Sequence, residues 1–492
     1  MTNNTLSVKI LKDLRYKTTI TGIIIFIGGL IIMNEEIKEL QEEILELIAN
    51  KKLQNLKQIL SEINPADIAL ILDEIDEKDL PVVFRILPKE LAAEVFAYME
   101  SDSQEFLISK FNDKELKSVL DELFIDDTVD IIEEMPASVV KRILTQTNAG
   151  TRKVINQLLA YPDDSAGSIM NTEYIDLKKT MTVKEAFERI RRRGVDSEMI
   201  YTCYVTDSRR HLLGIVSVRD LLLNEYDAII EDIMEENVIF ANTLDNKESV
   251  AAMFEKYDFM ALPIVDTENR LIGIVTVDDA IDVIQEAATE DIEKMAAISP
   301  TDKPYLKTGV FSTFKSRIIW LMILMISATF TGAIISSFEE KLTFVPALIA
   351  FIPMLMNTAG NGGSQSSVTV IRALSLGDIQ FTDIFRVIWK ELRVALICSV
   401  ALSIVNFAKM YLIDYLIFHN FDPGRQIEEI LVVSITLFIA IIVAKVVGSV
   451  LPIIAKKLGA DPAVMASPFI TTIVDAVSLI VYFNVAVLLL NI

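Results

Sequence analysis

At 492 residues, 52% of them hydrophobic and with a formal charge of −23, the chain is too long for one domain and too apolar for an ordinary acidic soluble protein. That acidity argues against a nucleic-acid partner, which needs clustered Lys and Arg. Its two cysteines, Cys203 and Cys398, lie in different regions and make neither a disulfide framework nor a thiolate metal site.

Split at Tyr305, residues 1–304 carry 33 basic and 58 acidic side chains, a net of −25, while the remainder carries 13 and 11, a net of +2. The chain therefore reads as an acidic soluble part followed by a nearly neutral membrane part. Such acidity suits cations as partners, although an acidic surface also serves solubility alone.

Residues 1–33 begin with a basic stretch like a signal n-region, followed by an apolar run over 20–33 that is short for a span. Cleavage would send an otherwise cytoplasmic domain outward, so the expectations are a misread start, with Met33 as the true one, or a membrane anchor. Residues 34–160 read as all helix, with start signals at "NPAD" (64), "LPKE" (87), "NDKE" (112), "IDDT" (125) and "MPAS" (135). Short helices at this spacing predict a small all-α solenoid.

Residues 161–284 hold an internal repeat. "GSIMNTEYIDLKKTMTVKEAFERI…LLGIVSVRDLL" is echoed by "EDIMEENVIFANTLDNKESVAAMF…LIGIVTVDDAI", the Ile-Met pairs 64 residues apart and the Gly-Ile-Val triplets 59. Each copy reads strand, helix, strand, strand, helix and resembles a CBS domain, two of which pack as one α/β module. The resemblance implies ATP or another adenine nucleotide as a ligand, its ribose met by Ser217 with Asp220 and by Thr276 with Asp279. The same side chains also suit simple capping of the helix after each strand.

Asp126 and Asp130, four apart, share a helix face, and Asp279, Asp282, Glu286, Glu290 and Glu293 step at three and four along a second helix. Like charges at these spacings repel by a few tenths of a kcal/mol per pair. A divalent cation bridging two such faces would remove that repulsion; a solvated face is the alternative. Residues 285–317 connect this region to the membrane part and start as helix.

Five apolar segments follow, over 318–337, 344–371, 394–418, 430–454 and 464–490, each long enough to cross a ~30 Å hydrocarbon layer. Basic residues flank them on one side: Lys307, Lys315 and Arg317, then Arg372, Arg386, Lys390 and Arg393, then Lys456 and Lys457. This places the N-terminal part in the cytoplasm and the C-terminus outside. Inside the last segment stands one carboxylate, Asp475, with Thr471 and Thr472 a turn before it and Ser478 a turn after. An acid there costs roughly 2.5–3.5 kcal/mol on insertion scales, so it faces protein or water; helix–helix adhesion is the bland reading. The second segment has Pro346, Pro353, Gly360, Asn361, Gly362, Gly363 and Gln365. Such residues loosen a membrane helix and let neighbours approach. Backbone carbonyls, Asn361, Gln365 and Asp475 are hard oxygen donors without His or Cys beside them, which points to Mg²⁺ or Ca²⁺.

The stretches "PALIAFIPMLMNTAGNGGSQ", "LGADPAVMASP" and "TTIVDAVSLIVYF" resemble the MgtE family of magnesium channels and transporters, and with the domains above the resemblance covers residues 34 to 492. It implies a homodimer in the bilayer whose pore is lined by the second and fifth spans. Asp475 would hold a largely hydrated Mg²⁺ there, with the Thr471 carbonyl nearby and Gly360, Asn361, Gln365 and Asp461 along the path. It also implies cytosolic Mg²⁺ sensing by Glu94, Asp126, Asp130, Glu248, Glu255, Asp258, Asp279, Asp282, Glu290 and Asp291. Ser467, Lys445, Asn246 and Ala287 depart from the family pattern, Lys445 lying inside a span and Asn246 and Ala287 replacing acids. The expectation is a Mg²⁺-gated Mg²⁺ channel, with a proton- or sodium-coupled divalent cation transporter or exporter as the alternative. An enzyme is not expected, since no nucleophile–base set or Walker-type loop is evident.

Overall fold

The computed structural model describes residues 40–490 apart from 41, 49, 51, 196, 302–304, 307, 340–345, 417–422 and 466. The expectations for residues 1–33 lie outside it. The chain divides into two compact units, Met1–Val283 and Ile284–Ile492.

In the first unit, α1 (Leu53–Leu60), α2 (Pro65–Asp73), α3 (Leu80–Phe84), α4 (Lys89–Tyr98), α5 (Ser101–Lys110), α6 (Asp113–Leu120), α7 (Ile125–Glu134), α8 (Ala137–Gln146) and α9 (Ala149–Leu158) follow one another. All five expected start signals open a helix. Asn64 accepts from Ala66 N at the start of α2, and Asn112 and Glu115 cap each other's backbone at α6. Pro88 and Pro136 stand at the N-caps of α4 and α8, where a missing N–H breaks no helical hydrogen bond. Helices this short are not stable alone, so packing decides. Phe84, Phe96 and Phe111 form the centre, ring centroids 5.4–6.3 Å apart. Arg142 donates to the carbonyl oxygens of Ile108 and Phe111 at the C-terminal end of α5.

The repeat folds twice in the same way. β1 (Tyr174–Leu177), α10 (Val183–Arg193), β2 (Met199–Thr206), β3 (Leu212–Ser217) and α11 (Val218–Leu223) make the first copy. After α12 (Ile230–Ile233), β4 (Ala241–Asn242), α13 (Lys247–Tyr257), β5 (Ala261–Val265), β6 (Leu271–Thr276) and α14 (Val277–Met295) make the second. In each sheet the first strand runs parallel to the second and the second antiparallel to the third. The copies also complete each other: Asn171 of the first pairs with Ile274 of the second, and Glu235 with Ile215. Where the borrowed strand crosses, a Cβ on Gly273 would lie 2.6 Å from Asn171 O, and one on Gly214 2.8 Å from Glu235 O. Glycine is required at both crossings, so the repeated Gly-Ile-Val is a packing signature.

The second unit takes the last part of α14, which stops just before Ala297 in a left-handed conformation (φ 55°). It continues with α15 (Val310–Ser337), a 3₁₀ turn (Pro346–Phe351) running into α16 (Ile352–Ser375), then α17 (Ile384–Leu416), α18 (Pro423–Lys457) and α19 (Ser467–Leu490). Among the described residues, α15, α17, α18 and α19 are long and apolar enough to cross a membrane. Helix α16 spans 24 residues, about 36 Å, but its Asn, Gln, Ser and Gly content keeps it less apolar. The first and third spans start earlier than expected, at Val310 and Ile384, so Arg386, Lys390 and Arg393 belong to the opening turns of α17 rather than to a loop. Hydropathy marks the lipid-buried length; the helical hydrogen bonds run on past it.

α16 sits against α18 and α19 through glycine. A Cβ on Gly448 would come 2.2 Å from Gly363 O, whereas one on Gly362 meets nothing within 4 Å. Gly448→Ala is therefore expected to cost roughly 1–3 kcal/mol or more and to lower the unfolding temperature in detergent, with Gly362→Ala close to wild type. Equal melting of the two variants would remove this contact from the account.

Candidate functional site

The fifth span, α19, is mostly apolar and carries a Thr471–Thr472–Asp475–Ser478 stripe. That stripe meets α16. A methyl group on Gly360 would lie 3.2 Å from Thr471 Cγ2 and 3.8 Å from Asp475 Oδ1. The carboxylate of Asp475 thus faces bare backbone on the second span, half-buried, with Ser478 fully buried one turn on. Tyr482 O–H donates to Leu348 O at 2.8 Å and ties the same two segments together further along.

The other residues expected along the path separate from this pair. Asn361 and Gln365 line a cavity of about 210 Å³ together with Thr358, Gly362, Cys398, Leu402, Ile441 and Lys445. Successive residues on a helix point 100° apart, so Gly360 and Asn361 serve different sides of α16. Asp461 is engaged as well: Lys294 Nζ donates to its Oδ2 at 2.6 Å and Ala463 N to its Oδ1 at 2.8 Å. Lys294 also pairs with Glu290 at 2.6 Å, and Ser375 O–H donates to Asp291 at 3.3 Å. Within the second unit, the end of α14 is thus held by the pairs Lys294–Asp461 and Asp291–Ser375. Burial opposes the charge on Lys294, but Asp461 and Glu290 outweigh it and hold its pKa at about 12. Burial and Asp461 push the Asp291 carboxyl up.

In the first unit, α7 brings Asp126, Asp127 and Asp130 to the start of α14, where Asp278 and Asp279 stand, and Glu198 joins from the strand side. Asn171 Nδ2 donates to Asp126 at 2.9 Å and to Glu198 at 3.2 Å. Burial first, and then mutual repulsion, raise the carboxyl pKa values: Asp127 and Asp279 to about 7 and Glu198 to about 8. Asp126 is raised chiefly by burial, and Asp282 by burial and then Asp278. Asp130 is shifted the same way, but it lies on the solvent rim, where water screens it. Glu94, on α4, lies at the edge through its field on Tyr98, which also feels Asp127, Glu198 and Asp278.

Among the described residues, no group of three or more carboxylate, imidazole or thiol side chains is spaced to hold an ion as it stands. Glu248, Glu255 and Asp258 are exposed along α13 and its C-cap, apart from this cluster, and Asn246 caps that helix by accepting from Ser249 N. The nucleotide candidates cap helices too. Ser217 O–H donates to Asp220 and Thr276 O–H to Asp279, both at 2.5 Å.

Sequence reasoning missed Asp127, which adjoins Asp126, as well as Glu198, Asp278 and Lys294. Asp278 adjoins a residue already singled out, and Lys294 follows Glu290 at i+4. Glu198 has no local signal; only the fold brings it to α7.

A family model described as a divalent cation transporter, MgtE, matches residues 352–485; the MgtE intracellular N domain matches 63–164 and the CBS domain 166–226 and 230–286. These define a polytopic membrane protein joined to a helical domain and a CBS pair. Over 440 residues the chain is 34% identical to the magnesium transporter MgtE of Thermus thermophilus, covering 89% of this chain and 95% of that one. It is 32% identical over 459 residues to the magnesium transporter MgtE of Bacillus subtilis, covering 92% and 98%. A solved cytosolic domain of the Mg²⁺ channel MgtE in complex with ATP is 34% identical, covers 49% of this chain and 99% of that chain, and gives a TM-score of 0.47. The chain belongs to the MgtE family.

Proposed function

We propose that this chain moves Mg²⁺ across the cytoplasmic membrane as a homodimer, with α16 and α19 lining the path and Asp475 holding the hydrated ion. The observation that carries the reading is the half-buried Asp475 carboxylate set against the glycine backbone of a neighbouring span, in a chain with close relatives named magnesium transporters. Mg²⁺ gives up its water reluctantly and is held by few carboxylates, and a site built from one acid per subunit beside a bare backbone leaves room for that water. The N-terminal unit lies in the cytoplasm and the C-terminus outside, by the side on which the basic residues fall. Uptake by the purified chain in liposomes tests the reading. Flux driven by membrane potential alone supports a channel, whereas flux that needs a proton or Na⁺ gradient supports the coupled transporter.

Gating by cytosolic Mg²⁺ is the second part. Cations at the acidic faces of α7 and α14 relieve the repulsion among Asp126, Asp127, Asp279 and Glu198, and Lys294 in the last turn of α14 is fastened to Asp461. The shift is only as large as the difference in ion affinity between the two states. Lys294→Ala is expected to raise uptake at millimolar cytosolic Mg²⁺ several-fold while leaving uptake at micromolar Mg²⁺ close to wild type; the same several-fold rise at both levels would count against gating through this contact. An adenine nucleotide at the CBS pair rests on the resemblance, and its ribose would have to displace the Ser217–Asp220 or Thr276–Asp279 hydrogen bond. Equilibrium dialysis with ATP tests it.

A further inference from the structure

Lys445 lies within the apolar run of α18 and is 6% exposed. A lysine at such a position is costly unless it is paired or faces water, and an apolar side chain would fill the space more cheaply. Its Nζ donates to Ser366 Oγ on α16 at 3.3 Å, and Ser366 O–H donates to Glu391 on α17 at 2.6 Å. The ammonium is therefore balanced by a carboxylate one hydroxyl away. The same ammonium lines the cavity of about 210 Å³ shared by α16, α17 and α18, whose wall includes Thr358, Asn361 and Gln365. Without the ammonium, this place would be a cavity with room for several waters, lined by two amides and a hydroxyl, with the hydrogen-bonded Ser366–Glu391 pair next to Lys445. Those are the hard oxygen donors that attract small cations.

We propose that Lys445 is a built-in cation: it takes the place of a mobile ion in the cavity behind the second span and so confines diffusing cations to the Gly360–Asp475 side. This makes Lys445 a specificity-determining residue. The proposal rests on the reading that cations pass along α16, but its test does not need transport.

Cys398 lines the same cavity, and the chain's other cysteine, Cys203, is buried. The rate of Cys398 modification by a cationic methanethiosulfonate, divided by the rate with a neutral one of similar size, reports the cation preference of the cavity. The full chain in detergent micelles serves for this. Relative to wild type, Lys445→Met is expected to raise that ratio on the order of tenfold or more, since a unit charge within about 10 Å of the reagent's cation is removed at an effective dielectric constant near 20. Lys445→Arg is expected to keep the wild-type ratio. Lys445→Met combined with Glu391→Gln is expected to bring the raised ratio back down. An unchanged ratio in Lys445→Met, or a rise that persists when Glu391 is also neutralised, overturns the proposal. Should Lys445→Met fail to give a monodisperse protein, Glu391→Gln alone decides. With Lys445 left unbalanced, the ratio must fall below wild type, and a ratio at or above it is the contrary result. Because labelling is read without Mg²⁺ flux, a protein that proves not to carry Mg²⁺ still gives an answer here.

Discussion

Asp475→Ala is expected to reduce Mg²⁺ uptake into liposomes to background. A dication held through water about 5 Å from a carboxylate, at an effective dielectric constant near 20, is attracted by about 6–7 kcal/mol before desolvation is counted. Losing half of that, about 3 kcal/mol, is already a factor on the order of 100. The fold should survive, because alanine removes a half-buried charge and fits the apolar α19. Asp475→Asn should be nearly as inactive, keeping the shape and losing the charge, while Asp475→Glu should retain part of the flux. Uptake near the wild-type rate in the alanine variant, with the protein folded and inserted, would remove this residue from the mechanism. A companion arm separates the acid from its setting: Gly360→Ala places a methyl 3.8 Å from Asp475 Oδ1 and 3.2 Å from Thr471 Cγ2, so it should lower flux with the charge intact.

The second large effect is expected in the first unit, read by limited proteolysis of the full chain. Protection of residues 40–283 should rise as Mg²⁺ goes from micromolar to millimolar. Replacing Asp126 and Asp127 together by Asn should have two opposite consequences. Protection without Mg²⁺ should increase, because the repulsion among α7, Asp279 and Glu198 is relieved. Its dependence on Mg²⁺ should weaken on the order of tenfold or vanish, because the oxygen charge that draws the cation is gone. No rise in protection with Mg²⁺ in the wild type would end the gating scheme.

Protons should act in the same direction as the metal. In the folded unit Asp127 and Asp279 titrate at about 7 and Glu198 at about 8, against ordinary values near 4 in an unfolded chain. Between those limits the folded form binds more protons than the unfolded one. Its stability is therefore highest at low pH by this contribution and falls as pH rises from about 4 through about 8. In chelator, protection at pH 6 should exceed that at pH 8. Saturating Mg²⁺ should shrink that difference.

Much of this was legible in local pattern. The Asn- and Pro-marked helix starts at 64, 87, 112, 125 and 135 each open a helix, because capping depends on neighbours within three residues. The repeat predicted two like sheets, and the stepping acids from Asp279 to Glu293 do share α14. An acid inside a mostly apolar segment announced Asp475. The ends of the spans were read less well: basic residues assigned to the loop before the third span lie in its first turns, since a charged, solvent-exposed turn costs a helix little.

Residue type and spacing thus settled which segments are helices, which halves meet lipid, and where the unusual charges stand, because each of those depends on a few neighbouring side chains. Partners across the fold were beyond that reach. That Gly360 rather than Asn361 faces Asp475, that Lys294 fastens Asp461, and that Glu198 joins Asp126 follow from how distant helices and strands pack. Helix rotation and close glycine contacts, set by the whole core, decide which polar atoms meet.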